Sequence, residues 1–374
     1  MPEAFKEKFN IPLVKEMAQH IHRVWPDFNK KAFIKKSVNQ LESLELKDRY
    51  IHIANVLHEY LPKDFKEAVA ILLQSLAPYN QQGPDDTKKG ITGWGTLPLN
   101  HYVGQNGLDD FTKSMAFLKE STSRFSAEFD IRFFLIHQQQ RTVKLLTKWA
   151  RDKNYHVRRL VSEGTRPRLP WGIQLQSFIE DPAPILPLLE ALKDDQEEYV
   201  RRSVANNLND IAKDHPDLVA KIAKAWLVDA DANRKKLVRH ACRTLIKQGH
   251  KKTLTALGYT KPKISIEAWQ ILNSKVKFGN ALVFELTIKS TSTKTQNLII
   301  DYAIHHRKAN GSTSPKIFKW KVISLKAKDT LQASKKHAIK KITTRVYYNG
   351  AHAIELFVNG DSIGKKAFEL VDVK

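Results

Sequence analysis

Three segments of this chain share one pattern: HVRRLVSEG, YVRRSVANN and LVRHACRTL. Their aligned valines, Val157, Val200 and Val238, fall 43 and 38 residues apart. That spacing sits near the ~40–47-residue period of HEAT-like helical repeats. Such a repeat constrains the fold strongly, because each unit can bury its apolar face only against its neighbours. In the second segment Val200, Val204, Leu208 and Ile211 form that face. Each aligned valine is followed by an arginine: Arg158, Arg201 and Arg239. The next positions are Arg159, Arg202 and His240. Stacked repeats turn these into basic rows along one surface; the alternative is solvated charge on unrelated helices.

Helical periodicity also covers residues 1–78, where Leu41, Leu44, Ile51, Ala54, Val56 and Leu57 recur, then Phe65, Val69, Leu72 and Leu73. It stops between Asn80 and Gly107, in QQGPDDTKKGITGWGTLPLNHYVGQNG, which reads as a long ordered connector. The GxxxxGK[ST] order is absent, so the glycines do not make a phosphate loop. Trp94 in this stretch reads as a packing anchor. Helices resume from Leu108 to Gly258. Beyond them KISIEAWQIL, ALVFELTIKS, LIIDYAIHH, KIFKWKVISL, RVYYNGAHAIELFVNG and KAFELVDV are strand-like, with Asn349-Gly350 and Asn359-Gly360 as hairpin signals. About seven short strands in ~110 residues suggest an immunoglobulin-like sandwich. The expected fold is mainly α: a HEAT-like α-α superhelix over 1–260, then an immunoglobulin-like β-sandwich over 261–374.

The formal net charge is +23, and such an excess costs self-repulsion unless an anionic partner offsets it. Nucleic acid is the leading candidate. From Lys261 onward there are 21 Lys+Arg and 8 Asp+Glu, so the smaller part is the more densely positive and is expected to touch the same partner. Cys242 is the one cysteine, which excludes an intrachain disulfide and a CxxC zinc site. His137, His156 and His240 show no metal-ligand spacing, so no metal and no cofactor is expected. No apolar run approaches the ~20 residues of a membrane span, and the N-terminus lacks a secretory pattern. A cytoplasmic monomer without membrane contact is the expectation.

The segment HVRRLVSEGTRPRLPW starts as a helix and then breaks at Gly164, Pro167 and Pro170. His156, Arg159 and Glu163 share a helical face. Glu163 is thereby left near a helix C-terminus, where the dipole disfavours an anion by ~0.3–1 kcal/mol. Arg159, Arg166, Arg168 and Trp171 surround it in sequence.

A helical repeat carrying VRRLVSEGTRPRLPW, with NNLNDIAKDHP in the next unit, resembles the bacterial alkylpurine DNA glycosylases of the AlkC type, relatives of the AlkD type. The resemblance extends to the tail, since some AlkC members carry a C-terminal immunoglobulin-like domain. It implies base-excision repair: hydrolysis of the N-glycosidic bond of cationic methylated bases, 3-methyladenine and 3-methylcytosine, in double-stranded DNA. It places functional carboxylates at Glu163, at Asp210 in NNLND and at Glu128 in SAEFDIRFF. It also matches Trp171 and Arg159. AlkD-type details do not carry over, because this chain presents a different residue set.

The residue types suit that chemistry. A base methylated at N3 is already cationic and leaves without prior protonation. A carboxylate can oppose the developing charge on the sugar and accept a proton from the attacking water. Glu163 is the expected base, with Arg159 either holding it or binding the adjacent phosphate of the DNA, while Trp171 offers an aromatic face to an electron-poor cation. Arg166 and Arg168 are expected to clamp flanking phosphates, with Arg158, Arg201, Arg202 and Arg239 as further DNA contacts. No lysine stands out as a Schiff-base nucleophile, so a monofunctional enzyme is expected. Each residue has a plainer reading: an ion pair for Glu163, repeat packing for Trp171, a turn brace for Asp210, a surface charge for Glu128. The competing functions are a non-catalytic nucleic-acid-binding scaffold and a protein-interaction solenoid.

Overall fold

A computed structural model of the chain describes residues 5–80 and 87–373. Among them, sixteen α-helices lie between Ile11 and Ala256, and eight strands lie between Ile264 and Val371. The chain is mainly helical, with an immunoglobulin-like C-terminal part. The change from helix to strand falls between Ala256 and Ile264. The compact units divide earlier, into Met1–Asp214 and His215–Lys374, so the last four helices share a unit with the strands. Among the described residues no helix is long and apolar enough to cross a membrane.

In the first unit the first two repeat segments form the helices Tyr155–Gly164 and Glu198–Ile211, packed side by side. Val157, Leu160 and Val161 are buried with Val200, Val204 and Leu208. Polar groups fix the register between them. Asn207 Nδ2 donates to the Ser162 carbonyl at 2.8 Å, and Ser162 Oγ donates to Ser203 Oγ at 2.7 Å. Asn154 caps the first of these helices, accepting from the His156 N–H at 2.9 Å.

The connector expected over 80–107 is corrected in part. Thr96–Asn106 is an α-helix, while residues 81–86 of that stretch lie outside the described residues. Every residue from Thr96 to Gly104 is buried. A helix covered on all sides has no polar face, so it shows no 3.6-residue alternation.

In the second unit the strands are β1 Ile264–Ile271, β2 Lys275–Lys277, β3 Ala281–Ser290, β4 Gln296–Arg307, β5 Thr313–Leu325, β6 Thr330–Ala338, β7 Gly350–Val358 and β8 Asp361–Val371. They form a three-stranded sheet, β1-β3-β6, and a five-stranded sheet, β2-β8-β7-β4-β5. Phe284, Leu286, Ile300, Tyr302, Ile304, Ile354 and Leu356 belong to their common core. Asn359 and Gly360 close the β7–β8 hairpin with φ of 48° and 76°, the left-handed pair that a two-residue turn demands. The hairpin expected at Asn349-Gly350 is not formed. Gly350 begins β7, and the Asn349 side chain binds the backbone of Val373 instead.

Candidate active site

The broken helix owes its shape to an arginine. Arg132 is fully buried; its Nε donates to the Ile173 carbonyl at 2.6 Å, and its Nη1 to the carbonyls of Gly164 at 2.9 Å and Arg166 at 2.8 Å. These bonds hold both ends of the loop after the helix. Burial, then the nearby Arg166, pulls the Arg132 pKa down to about 10. Gly164 is required at the break, since a Cβ there would stand 2.7 Å from Ile131 Cγ2. The loop then turns through Leu169–Gly172, with the Gly172 N–H bonded to the Leu169 carbonyl at 3.1 Å. Trp171 has φ of +64° and is 55% exposed. A bulky side chain in the left-handed region is strained by ~1–3 kcal/mol, and such strain clusters at functional sites.

Glu163 is 5% exposed and bonded at both oxygens. Its Oε1 accepts from Arg166 Nη1 at 2.6 Å and lies 3.5 Å from Arg159 Nη2; its Oε2 accepts from Ser203 Oγ at 2.6 Å. These contacts offset the unfavourable helix end. Arg159 bridges onward to Glu128 and to Ser126 Oγ, and stacks over Tyr199 with Cζ 5.1 Å from the ring centroid. Burial lowers the Arg159 pKa, but Glu128 and Glu163 outweigh it and hold the guanidinium above the usual arginine value. Arg166 is raised in the same way: burial opposes, and Glu163 and Asp210 prevail. Asp210 is 2% exposed, accepting from Arg166 Nε at 2.8 Å, with Lys213 Nζ at 3.0 Å.

The three carboxylates proposed from sequence are thus brought into one network: Glu128–Arg159–Glu163–Arg166–Asp210. It forms part of a cavity of about 470 Å³, within the range of small-molecule sites. Glu128, Arg159, Glu163, Arg166, Trp171 and Tyr199 line it, with Trp94 and Phe125. Trp94 is a packing residue, as expected, against Phe9 and Phe125 with centroids 5.7 and 5.1 Å away. It also lines the cavity. Trp171 packs at its rim against Phe5, with centroids 6.0 Å apart. One lysine, Lys47, reaches the lining and is exposed.

Several of the expected DNA-contacting arginines are bonded within the protein. Arg166 is 8% exposed and pairs with two carboxylates, Glu163 and Asp210. Arg158 makes a two-pronged pair with Asp195, at 2.6 and 2.9 Å, and Arg201 binds the carbonyls of Asp195 and Gln196. Arg158 thereby stitches adjacent repeats together, while Arg201 braces the turn that enters its own helix. Arg168 pairs with Asp214 at 2.8 Å but keeps 31% side-chain exposure. Arg202 is exposed. Arg239, in the second unit, is exposed and donates to the Tyr259 hydroxyl at 2.9 Å. Among the described residues no group of three or more His, Cys, Asp or Glu is arranged to hold a metal.

Sequence reasoning missed Arg132 and Tyr199, and placed Ser203 only on a polar helical face with Asn206, Asn207 and Asp210. Arg132 had a signal: a cation inside the apolar run IRFFL needs buried acceptors. Tyr199 occupies the repeat position of His156, and the two rings touch with centroids 5.8 Å apart.

Residues 127–264 match the family model described as "DNA alkylation repair enzyme". Residues 265–372 match "Uncharacterised protein YhaZ, C-terminal Ig-like domain". The Bacillus subtilis (strain 168) protein YhaZ is 36% identical over 358 residues, 95% of this chain and 96% of that one. The Pseudomonas fluorescens alkylpurine DNA glycosylase AlkC, solved bound to DNA containing an abasic site analog, superposes with a TM-score of 0.87. It is 36% identical, and the match covers 99% of this chain and 100% of that one. The chain belongs to the AlkC-type family of DNA alkylation repair glycosylases that carry a C-terminal immunoglobulin-like domain.

Proposed function

We propose that this protein is a monofunctional glycosylase that removes cationic N3-methylated bases, 3-methyladenine and 3-methylcytosine, from double-stranded DNA. One observation carries the reading: a carboxylate, Glu163, fixed by two arginines and a serine in a cavity rimmed by aromatic side chains. The arginines hold one oxygen and the serine the other, fixing the rotation of the group. Among the described residues Oε2 accepts one bond, from Ser203, and retains a lone pair for a water.

In the reaction the N-glycosidic electron pair stays with the departing base and cancels its positive charge. Water forms the new bond at the sugar C1′ and passes its proton to Glu163. Glu128 and Asp210 surround the same cations and add negative potential opposite the developing oxocarbenium ion. Trp171 and Tyr199 present π-faces to the cationic base. Arg168, Arg202 and Arg239 are the exposed candidates for phosphate contact, whereas Arg158, Arg159, Arg166 and Arg201 act within the protein. The reading takes residues 1–260 as the glycosylase part and 261–374 as a DNA-contacting part of a cytoplasmic monomer, the size and charge of the chain supporting both.

The experiment is incubation with DNA methylated at N3 of adenine or cytosine, followed by separation of free base from DNA. Free base with an intact, alkali-labile strand is the expected result. No release from either lesion would remove the proposal. Strand cleavage without alkali would instead implicate an amine, with Lys47 or Lys213 as the first candidates.

A further inference from the structure

Phe5 opens a 3-10 turn, Phe5–Lys8, and its side chain is 57% exposed. A single exposed apolar ring is ordinary on a protein surface. Phe5, however, lies against a second one, Trp171, at the cavity rim. The two ring planes meet at 71° with centroids 6.0 Å apart, an edge-to-face pair. Phe5 also meets Trp94, with centroids 5.8 Å apart at 32°. Its ring thus bridges a tryptophan that lines the cavity to the tryptophan at the rim.

The turn beneath Phe5 is firmly held. Arg49 is 2% exposed, and its Nη1 donates to the carbonyls of Lys6 at 2.9 Å and Phe9 at 3.1 Å. Its Nη2 and Nε donate to the carbonyls of Glu42 at 3.0 Å and Leu44 at 2.9 Å, so one buried guanidinium ties the turn to the entry of the helix Leu46–Tyr60. Phe9 is fully buried against Tyr50 and Trp94, with centroids 5.9 and 5.7 Å away. Lys6 Nζ pairs with Glu45 at 2.7 Å. Trp171 is the opposite case. It is 55% exposed on a strained backbone, and among the described residues Phe5 is the one aromatic ring in contact with its indole. Rotation about the two side-chain torsions of Trp171 would carry the indole off the rim. A ring on an anchored turn restricts that rotation; a ring on a loose one would not.

We propose that Phe5 is a positioning residue, which sets the orientation of the Trp171 indole at the cavity rim before DNA binds and itself touches no reacting atom. Its effect on rate rests on the glycosylase reading above; the ring contact does not.

The test joins two readouts on the full chain. The first is fluorine NMR of protein labelled with fluorotryptophan. The chain has seven tryptophans, and the Trp171 signal is identified by its loss in Trp171→Phe. Phe5→Ala should shift or broaden that signal. The second is single-turnover base release. Phe5→Ala should lower the maximal rate about three- to tenfold, with the half-saturating enzyme concentration unchanged. At 1.36 kcal/mol per decade that is ~0.6–1.4 kcal/mol, the size of one edge-to-face pair. Phe5→Tyr keeps the ring and should restore the rate. In a Trp171→Ala background Phe5→Ala should cost nothing further, since the two residues act as one. Should Phe5→Ala lower the Tm, Phe5→Leu keeps the apolar bulk without the ring, and the same loss of rate is expected at wild-type Tm. An unmoved Trp171 signal, a wild-type rate in the variants that lack the ring, or an additive loss in the Trp171→Ala background overturns the proposal. A wild type that releases no base removes the glycosylase reading, and the Trp171 signal then still decides whether Phe5 orients the indole.

Discussion

At the residue scale, Trp171 and Arg132 divide the labour around Glu163. Trp171 holds a strained backbone with its ring half-exposed at the rim, touching Phe5, and the proposed role for that strain is to present the indole. Trp171→Gly should leave stability unchanged or raise it by ~1 kcal/mol, since glycine accepts positive φ freely, while excision falls. Thermal unfolding and base release read these separately; a large loss of stability would make the indole a packing residue. Arg132 is the opposite case. Arg132→Met leaves three carbonyls without their donor, and each buried orphan costs ~1–3 kcal/mol. Denaturant unfolding should show a loss of several kcal/mol, with excision reduced as well. The sequence exposed Glu163 because an anion at a helix end is locally wrong. It did not reveal that Arg166 turns inward, because an arginine reads the same whether it seeks phosphate or carboxylate.

At the element scale, what was legible follows from periodicity. The helices at Tyr155–Gly164 and Glu198–Ile211 present one apolar face, and β3 alternates buried with half-buried positions. The Thr96–Asn106 helix was illegible because it is enclosed, and β6, Thr330–Ala338, because it lies at a sheet edge with Lys335 and Lys336 in it. Lysines on an edge strand guard against pairing with other chains and erase the β signature. One strand carries a pH-dependent liability. At the irregularity in β4, Asp301 is 7% exposed and its Oδ1 has no partner. Burial raises its pKa from 3.8 to about 6, against the opposing effects of Lys319 and the Trp320 backbone. The folded state therefore binds this proton more tightly than the unfolded chain does. Stability is full below pH 3.8 and falls as pH rises through about 6, by up to about 3 kcal/mol for this group. Asp301→Asn should raise Tm at pH 8, and the gap should close near pH 4. An equal gap at both values would mean that the carboxyl is not strained by burial.

At the scale of the whole molecule, the charge of +23 is the property most directly tied to a polyanion. Several arginines of the repeat rows, Arg158, Arg159 and Arg201, bond within the protein, so the excess over the remaining surface matters more than those rows. Duplex affinity should weaken by about a hundredfold or more between ~50 and ~200 mM salt, as counterion release requires for several phosphate contacts. A flat salt response would argue against DNA as the partner. The resemblance in SEGTRPRLPW gave the chemistry that charge alone does not, and the fold then brought Glu128, Glu163 and Asp210 around two shared arginines. The most direct measurement is single-turnover release of 3-methyladenine and 3-methylcytosine by the wild type and by Glu163→Gln, at enzyme concentrations that saturate the DNA. The account predicts release by the wild type, and a ~10²–10⁴-fold slower rate for Glu163→Gln with duplex affinity nearly unchanged. Equal rates for the two proteins, or no base released by either, would contradict it.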